Sequence, residues 1–186
     1  MSIFSKLFGK KEKKTDEKKP EPVTMTTSIA TFYFHDTDPE EIGYEGEIDW
    51  YDLPEDEKQR ESYQPAGCYF DSDTPETTEA SICYKRLEGL FADRYETDKK
   101  VKLGVIEHYA GDGGAFARKD GKTYSKEELM DDLKIRFISL YRDGRVVYSL
   151  RQNLFLEDHM SDIHVICEPD GSVSYKNDKE YYAFSG

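Results

Sequence analysis

Two hydrophobic periods alternate along the chain, and the changes between them mark out its elements. Ile29-Ala30-Thr31-Phe32-Tyr33-Phe34 is β-branched and aromatic, which predicts a strand. Gly43 to Tyr51 alternates with period two, placing Tyr44, Ile48 and Trp50 on one side of a second strand. Pro54 and the charges from Glu55 to Glu61 mark a loop, and Cys68-Tyr69-Phe70 predicts a brief further strand. The period then changes. Ala80, Cys83, Tyr84, Leu87, Leu90, Phe91 and Tyr95 recur at steps of three and four, a single apolar stripe on a helix covering about 75–95. Thr74 suits its N-cap and Pro75 its first position, and Glu76 and Glu79 sit at the positive end of its dipole. Val101 to Tyr109 fits either period and is broken by Gly111-Asp112-Gly113-Gly114. Ser125 and Glu128 form a capping box that opens a short helix through Leu133.

The last third reads as strands. Ile135, Phe137, Ser139 and Tyr141 alternate with Arg136, Ile138, Leu140 and Arg142. Asp143-Gly144 predicts a two-residue hairpin turn, after which Val146, Tyr148 and Leu150 share one face. Ile163, Val165 and Cys167 begin another strand, Pro169-Asp170-Gly171 turns it, and Val173 and Tyr175 continue. The predicted fold class is α+β. An antiparallel sheet of about four strands, built from the C-terminal hairpins, packs against the 75–95 helix, with one or two further short helices.

Charge divides the chain. Its 186 residues carry 26 Lys and Arg against 39 Asp and Glu, a net of −13. Within residues 1–22, seven lysines oppose four acidic residues for a net of +3, so residues 23–186 carry −16. A basic arm thus precedes one acidic α+β domain. In the arm, Ile3, Phe4, Leu7 and Phe8 form an apolar stripe if helical, flanked by Lys6, Lys10 and Lys11. That pattern suits docking on an anionic membrane surface or a partner, and a plain solubilising tail accounts for the same residues. Pro20 and Pro22 close the arm as a stiff linker. The acidic balance argues against nucleic-acid binding, which needs basic groups to neutralise phosphates. The 14 Tyr, 10 Phe and one Trp supply enough aromatic surface for a core despite the charge. Cys68, Cys83 and Cys167 form no CxxC pair, and the first residues contain no secretory h-region; both point to a reducing cytoplasmic setting, with the arm allowing contact at the inner membrane surface.

Few residues carry chemistry. The densest polar cluster runs from Glu157 to His164, and its Glu157, Asp158, His159, Asp162 and His164 are the ligand types of zinc, nickel or manganese. His159 and His164 lack the i, i+4 spacing of a helical pair, and if Ile163 enters the core, His164 faces solvent or the opposite sheet face. Asp71, Asp73, Glu76 and Glu79 offer oxygen ligands for calcium, though stabilisation of a helix start explains them more simply. The Gly111–Gly114 run lacks a phosphate-loop context, and Ser139, Ser149 and Ser161 lack a GxSxG elbow. No cofactor is implied.

The body resembles the bacterial family catalogued as domain of unknown function 2262. The residues that carry the likeness are Tyr44-Glu45-Gly46-Glu47-Ile48-Asp49-Trp50, Asp73-Thr74-Pro75-Glu76-Thr77 with Leu87 and Leu90, Tyr124-Ser125-Lys126-Glu127-Glu128-Leu129, and Ile138-Ser139-Leu140-Tyr141-Arg142-Asp143-Gly144. Asn153-Leu154-Phe155, His159, Ile163, Val165, Asp170-Gly171 and Gly186 complete it, so the likeness spans roughly residues 29–186. The family pattern places an aromatic, Gly and His directly after the Leu-Phe pair; here Leu156-Glu157-Asp158 precedes His159 and Met160-Ser161-Asp162 follows it. The resemblance implies helix for Val101–Tyr109 and brings no reaction with it. A fold-level similarity to immunity proteins encoded beside bacterial toxins points the same way.

The expected function is therefore a non-enzymatic protein-binding module, in its concrete form an immunity-type protein neutralising a basic toxin. Tyr63, Tyr69, Tyr181 and Tyr182 are its candidate anchors. The alternative is a metal-binding protein or metal-assisted hydrolase centred on residues 157–164.

Overall fold

The structure, a computed structural model, describes residues 22–36, 42–54, 56, 64–75, 77–110, 116–117, 121–156 and 161–184. Among these are ten strands: β1 (Thr24–Thr26), β2 (Thr31–His35), β3 (Gly43–Ile48), β4 (Ala66–Asp71), β5 (Phe116–Ala117), β6 (Thr123–Tyr124), β7 (Lys134–Leu140), β8 (Val146–Arg151), β9 (Ile163–Cys167) and β10 (Val173–Asn177). The four helices described are α1 (Thr77–Ala92), α2 (Arg94–Ala110), α3 (Lys126–Asp132) and α4 (Asp178–Phe184). The fold is α+β. Eight strands form one mixed sheet in the order β1-β2-β3-β4-β7-β8-β9-β10, and β5 and β6 form a separate ribbon.

The sheet has eight strands rather than about four because the N-terminal strands join the C-terminal hairpins through one parallel pair. Gly67, Cys68, Tyr69 and Phe70 of β4 lie beside Phe137, Ile138, Ser139 and Leu140 of β7, while every other neighbouring pair is antiparallel. Parallel neighbours require a long crossover. Residues 72–133 supply it and carry α1, α2 and α3.

All three helices pack on one face. Ala80, Cys83 and Leu87 of α1, Val101, Val105 and Ile106 of α2 and Leu129 of α3 share a single core with Phe32, Tyr44, Ile48, Trp50, Cys68, Phe70, Ile138, Leu140, Leu150 and Ile163. Tyr44, Ile48 and Trp50 lie on one side, as their alternation requires. The 101–109 segment is helical. Buried in α2, Lys102 is paired with Asp98 at 2.7 Å, and Tyr51 donates to the same carboxylate at 2.8 Å while accepting from the Ile135 backbone N–H. Burial lowers the Lys102 pKa and raises that of Tyr51, but every polar atom in this group has a partner, so it ties α2 to the sheet.

Three sequence expectations need correction. The 75–95 helix is shorter, running Thr77–Ala92; the carbonyls of Thr74 and Pro75 accept from the hydroxyls of Ser72 and Tyr44, each at 2.8 Å. A turn at Asp93 starts α2, which removes Tyr95 from the buried stripe and leaves it 58% exposed. In β7, register shifts between Ile135 and Phe137, so Ile135 shares the core face with Ile138 and Leu140 rather than alternating with them. The Asp143-Gly144 turn is a three-residue loop: Tyr141 N–H donates to Arg145 O at 3.0 Å and Gly144 N–H to Tyr141 O at 3.1 Å. Asp143 does not take the positive φ that a type I′ turn demands; Gly144 alone does, at +104°. Pro169-Asp170-Gly171 repeats the device, with Gly171 at +87°. The capping box forms both ways, Ser125 accepting from Glu128 N–H and Glu128 from Ser125 N–H.

Two glycine-to-alanine substitutions test this packing in opposite directions. A Cβ on Gly43 would lie 2.1 Å from the Phe70 carbonyl oxygen, whereas one on Gly89, inside α1, meets nothing within 4 Å. Denaturant unfolding should show Gly43→Ala destabilising by about 1–3 kcal/mol and Gly89→Ala stabilising by about 0.5–1 kcal/mol. Equal effects would contradict the assigned register.

Candidate functional site

Alternation sends every second residue to the face that α1, α2 and α3 leave uncovered. Register places Thr31, Glu47, Gly67, Phe137, Ser149, His164 and Lys176 in one row across it, with Tyr33, Glu45, Tyr69, Ser139, Val147, Ile166 and Ser174 in the next. The two ends of these rows are built differently.

At the β9–β10 end the face is closed by α4. Asn177, the last residue of β10, accepts from Glu180 N–H at 2.9 Å, and Glu180 accepts from Asn177 N–H at 3.1 Å, so a capping box turns strand directly into helix. This folds α4 over His164, which is only 3% exposed. Tyr181 stacks on the imidazole, with ring centroids 4.1 Å apart and an interplanar angle of 16°. One ring nitrogen, Nδ1, lies 2.9 Å from Ser149 Oγ, and the other, Nε2, lies 2.6 Å from Asp178 Oδ1. Asp178 Oδ2 also accepts from Asp162 N–H at 2.9 Å. Burial by itself would raise the Asp178 pKa, but hydrogen bonds from His164 and the Asp162 backbone outweigh it and hold the carboxyl below its usual range. The neighbouring carboxyl of Asp162 is pushed up by burial.

Serine, histidine and aspartate in hydrogen-bonded sequence have the composition of a nucleophile relay. The histidine, however, is buried beneath Tyr181 with both ring nitrogens engaged by Ser149 and Asp178. The geometry describes a latch that holds α4 on the sheet.

At the β2–β3–β4–β7 end the face is open. A cavity of about 460 Å³ is lined by Thr31, Tyr33 and His35 of β2 and by Glu45, Gly46 and Glu47 of β3. Gly67 and Phe137 complete it. The Phe137 ring packs against Gly67, where a Cβ would fall 2.3 Å from it, so the missing side chain at Gly67 makes room for the ring at the cavity wall. Glu45 and Glu47 are two positions apart on one strand and project to the same side. Glu45 has a 3.9 Å contact with His35, both half-exposed, and among the described residues Glu47 has no partner. Tyr33 is 44% exposed.

Of the five proposed metal ligands, Glu157, Asp158 and His159 lie outside the described residues. His164 lies on the sheet face opposite Ile163, with both ring nitrogens already engaged, and Asp162 sits beside the latch. Among the described residues no three His, Cys, Asp or Glu side chains converge to hold a metal ion. Asp71 and Asp73 instead bind Arg142, whose guanidinium donates to Asp73 at 2.6 and 2.7 Å and to Asp71 at 3.2 Å. The guanidinium holds the Asp73 carboxyl below its usual pKa. Glu76, the Glu79 side chain and Gly111–Gly114 are outside the described residues.

Among the aromatic candidates, Tyr182 is 66% exposed and Tyr181 is stacked on His164. Tyr69 donates to the Ile42 carbonyl at 2.6 Å and meets Tyr141 edge to face. Tyr63 and the arm residues Ile3, Phe4, Lys6, Leu7, Phe8, Lys10 and Lys11 lie outside the described residues. Cys68 and Cys83 are free and buried, and Cys167 is free and half-buried. Among the described residues no helix is long and apolar enough to cross a membrane. Sequence reasoning missed Tyr33, His35, Glu45, Glu47 and Phe137 as a group. It also missed α4, although Asn177-Asp178-Lys179-Glu180 carries a readable capping signal.

No family model, curated protein or solved structure matches the chain.

The latch has a defined pH response. A carboxyl whose folded pKa lies below its unfolded value, about 3.9 for Asp, contributes stability that is present above that value and lost as pH falls through the folded one. Hydrogen exchange should therefore show residues 178–184 loosening below about pH 4. Asp178→Asn should produce the same loosening at pH 7. Unchanged exchange in that variant would contradict the latch.

Proposed function

We propose that the chain is a protein-binding module that receives a basic partner on the uncovered sheet face. The observation that supports this most is the open cavity between β2 and β7, where two exposed carboxylates stand with the exposed Tyr33 ring and the half-buried Phe137 ring. Such a surface offers anchors with apolar bodies and charges that steer an oppositely charged partner. The overall charge of −13 strengthens that steering, because a field of one sign raises the encounter rate with cationic proteins. The latch supports the same reading. It consumes the polar side chains of the other end in fixing α4, leaving the β2–β7 end as the accessible part of the face.

An immunity-type protein that occupies a cationic toxin is the concrete form of this function, and the cytoplasm is the compartment it suits. The basic arm, on this reading, adds peripheral contact with an anionic membrane surface or with the partner.

Affinity capture tests the reading. Immobilised full-length chain should retain basic proteins at low salt and release them at about 0.5 M salt, where screening shortens the reach of exposed charges to a few ångströms. A Glu45→Gln/Glu47→Gln double variant should retain about 10-fold less of the same proteins. Identical capture by both would sink the reading.

A further inference from the structure

At three places the chain's own carboxylates and aromatic rings hold a cation: Lys102 lies 2.7 Å from Asp98 and 5.3 Å from the Tyr51 ring centroid, and two arginines complete the set. Arg94 donates to Asp52 at 2.7 Å while its guanidinium lies 4.7 Å from the ring centroids of both Phe91 and Tyr95. Arg145 lies 4.1 Å from the Tyr141 ring centroid and 3.9 Å from Asp143. In each case a ring, a carboxylate and a cation form one unit. The cavity between β2 and β7 contains the rings of Tyr33 and Phe137 and the carboxylates of Glu45 and Glu47. Among the described residues no Lys or Arg lines it. Glu47 has no partner among the described residues, and Glu45 has only the long contact with His35.

We infer that this cavity is a recognition site for a single arginine side chain of the basic partner. The inference rests on the proposed function above and deepens it by naming the group that is read. Three features select the guanidinium. It is planar, so it can lie on the exposed Tyr33 ring or on the part of the half-buried Phe137 ring that lines the cavity. Its fork of donors matches a free carboxylate such as Glu47 with two parallel hydrogen bonds, leaving further N–H groups for Glu45. It is also less strongly hydrated than an ammonium and gives up less on entering a half-open site. Lysine satisfies the charge but not the planarity or the fork, and a neutral side chain satisfies neither charge nor fork. The site therefore ranks arginine above lysine and both above a neutral isostere.

The test uses full-length, isotopically labelled protein and three blocked pentapeptides, acetyl-Gly-Gly-X-Gly-Gly-amide, with X as arginine, lysine or citrulline. Citrulline keeps the shape of arginine and removes its charge. In an NMR titration the arginine peptide should shift the amides of Tyr33, Glu45, Glu47 and Gly67, with lysine about 3-fold weaker and citrulline at least about 10-fold weaker. Glu47→Gln, an exposed change that leaves the core untouched, should weaken the arginine peptide by about 10-fold. Phe137→Leu should reduce the preference for arginine over lysine.

Equal binding of arginine and citrulline peptides would overturn the inference, as would arginine-induced shifts that spread over the acidic surface and ignore Glu47→Gln. If the arginine peptide leaves the cavity unshifted while capture of basic proteins still depends on Glu45 and Glu47, the guanidinium assignment falls and the partner reading stands. If both fail, both fall.

Discussion

One parallel strand pair decides the shape of this protein. Beside β7, β4 receives Phe137 over Gly67 and Ile138 beside Cys68, and this contact fuses an N-terminal meander and two C-terminal hairpins into a single sheet. Parallel neighbours cannot be joined by a tight turn. The connection must leave the sheet and return, and here it takes α1, α2 and α3 with it. Because the three helices belong to one crossover, they pack on one face. The other face is left to whatever the strands and the C-terminal helix supply. A core on one side and a bare surface on the other thus follow from the same pairing.

The bare face is then divided. At one end, the turn from β10 into α4 places Asp178 and Tyr181 on His164, and the hydrogen bonds of Ser149, His164 and Asp178 fix the helix there. A buried polar chain of this kind is stabilising only when every member is satisfied; the two imidazole nitrogens meet that condition. At the other end no helix among the described residues intervenes. Glu45, Glu47 and Tyr33 remain exposed there, with the half-buried Phe137 ring beside them.

How much of this was legible beforehand depends on how local its cause is. Tyr44, Ile48 and Trp50, the Ala80–Cys83–Leu87 stripe and the Ser125–Glu128 box are set by residues within one or two turns of each other, and period and capping rules recover them. The hairpin at Asp143-Gly144 was visible, but its three-residue form depends on a single φ that dipeptide rules do not specify. The bulge that turns Ile135 to the core side leaves no compositional trace. The β4–β7 pairing joins residues about 70 positions apart by contact order alone, so neither the eight-stranded sheet nor the cavity could be read from the pattern. Glu45 and Glu47 were readable as outward-facing. That they would face Phe137 was not. His164 sat in a cluster of metal-ligand types, and only the fold shows its nitrogens committed to Ser149 and Asp178.

The central claim is that a partner sits on the uncovered face and not on the helices. Hydroxyl-radical footprinting of the full chain, alone and with a captured basic protein, tests it directly. Tyr33 reports on the cavity at 44% exposure, while Ile82 and Tyr95, at 56% and 58%, report on α1 and α2. The account predicts that the partner protects Tyr33 and Phe137 from oxidation and leaves Ile82 and Tyr95 as reactive as before. Protection of Ile82 and Tyr95 with Tyr33 unchanged would contradict it.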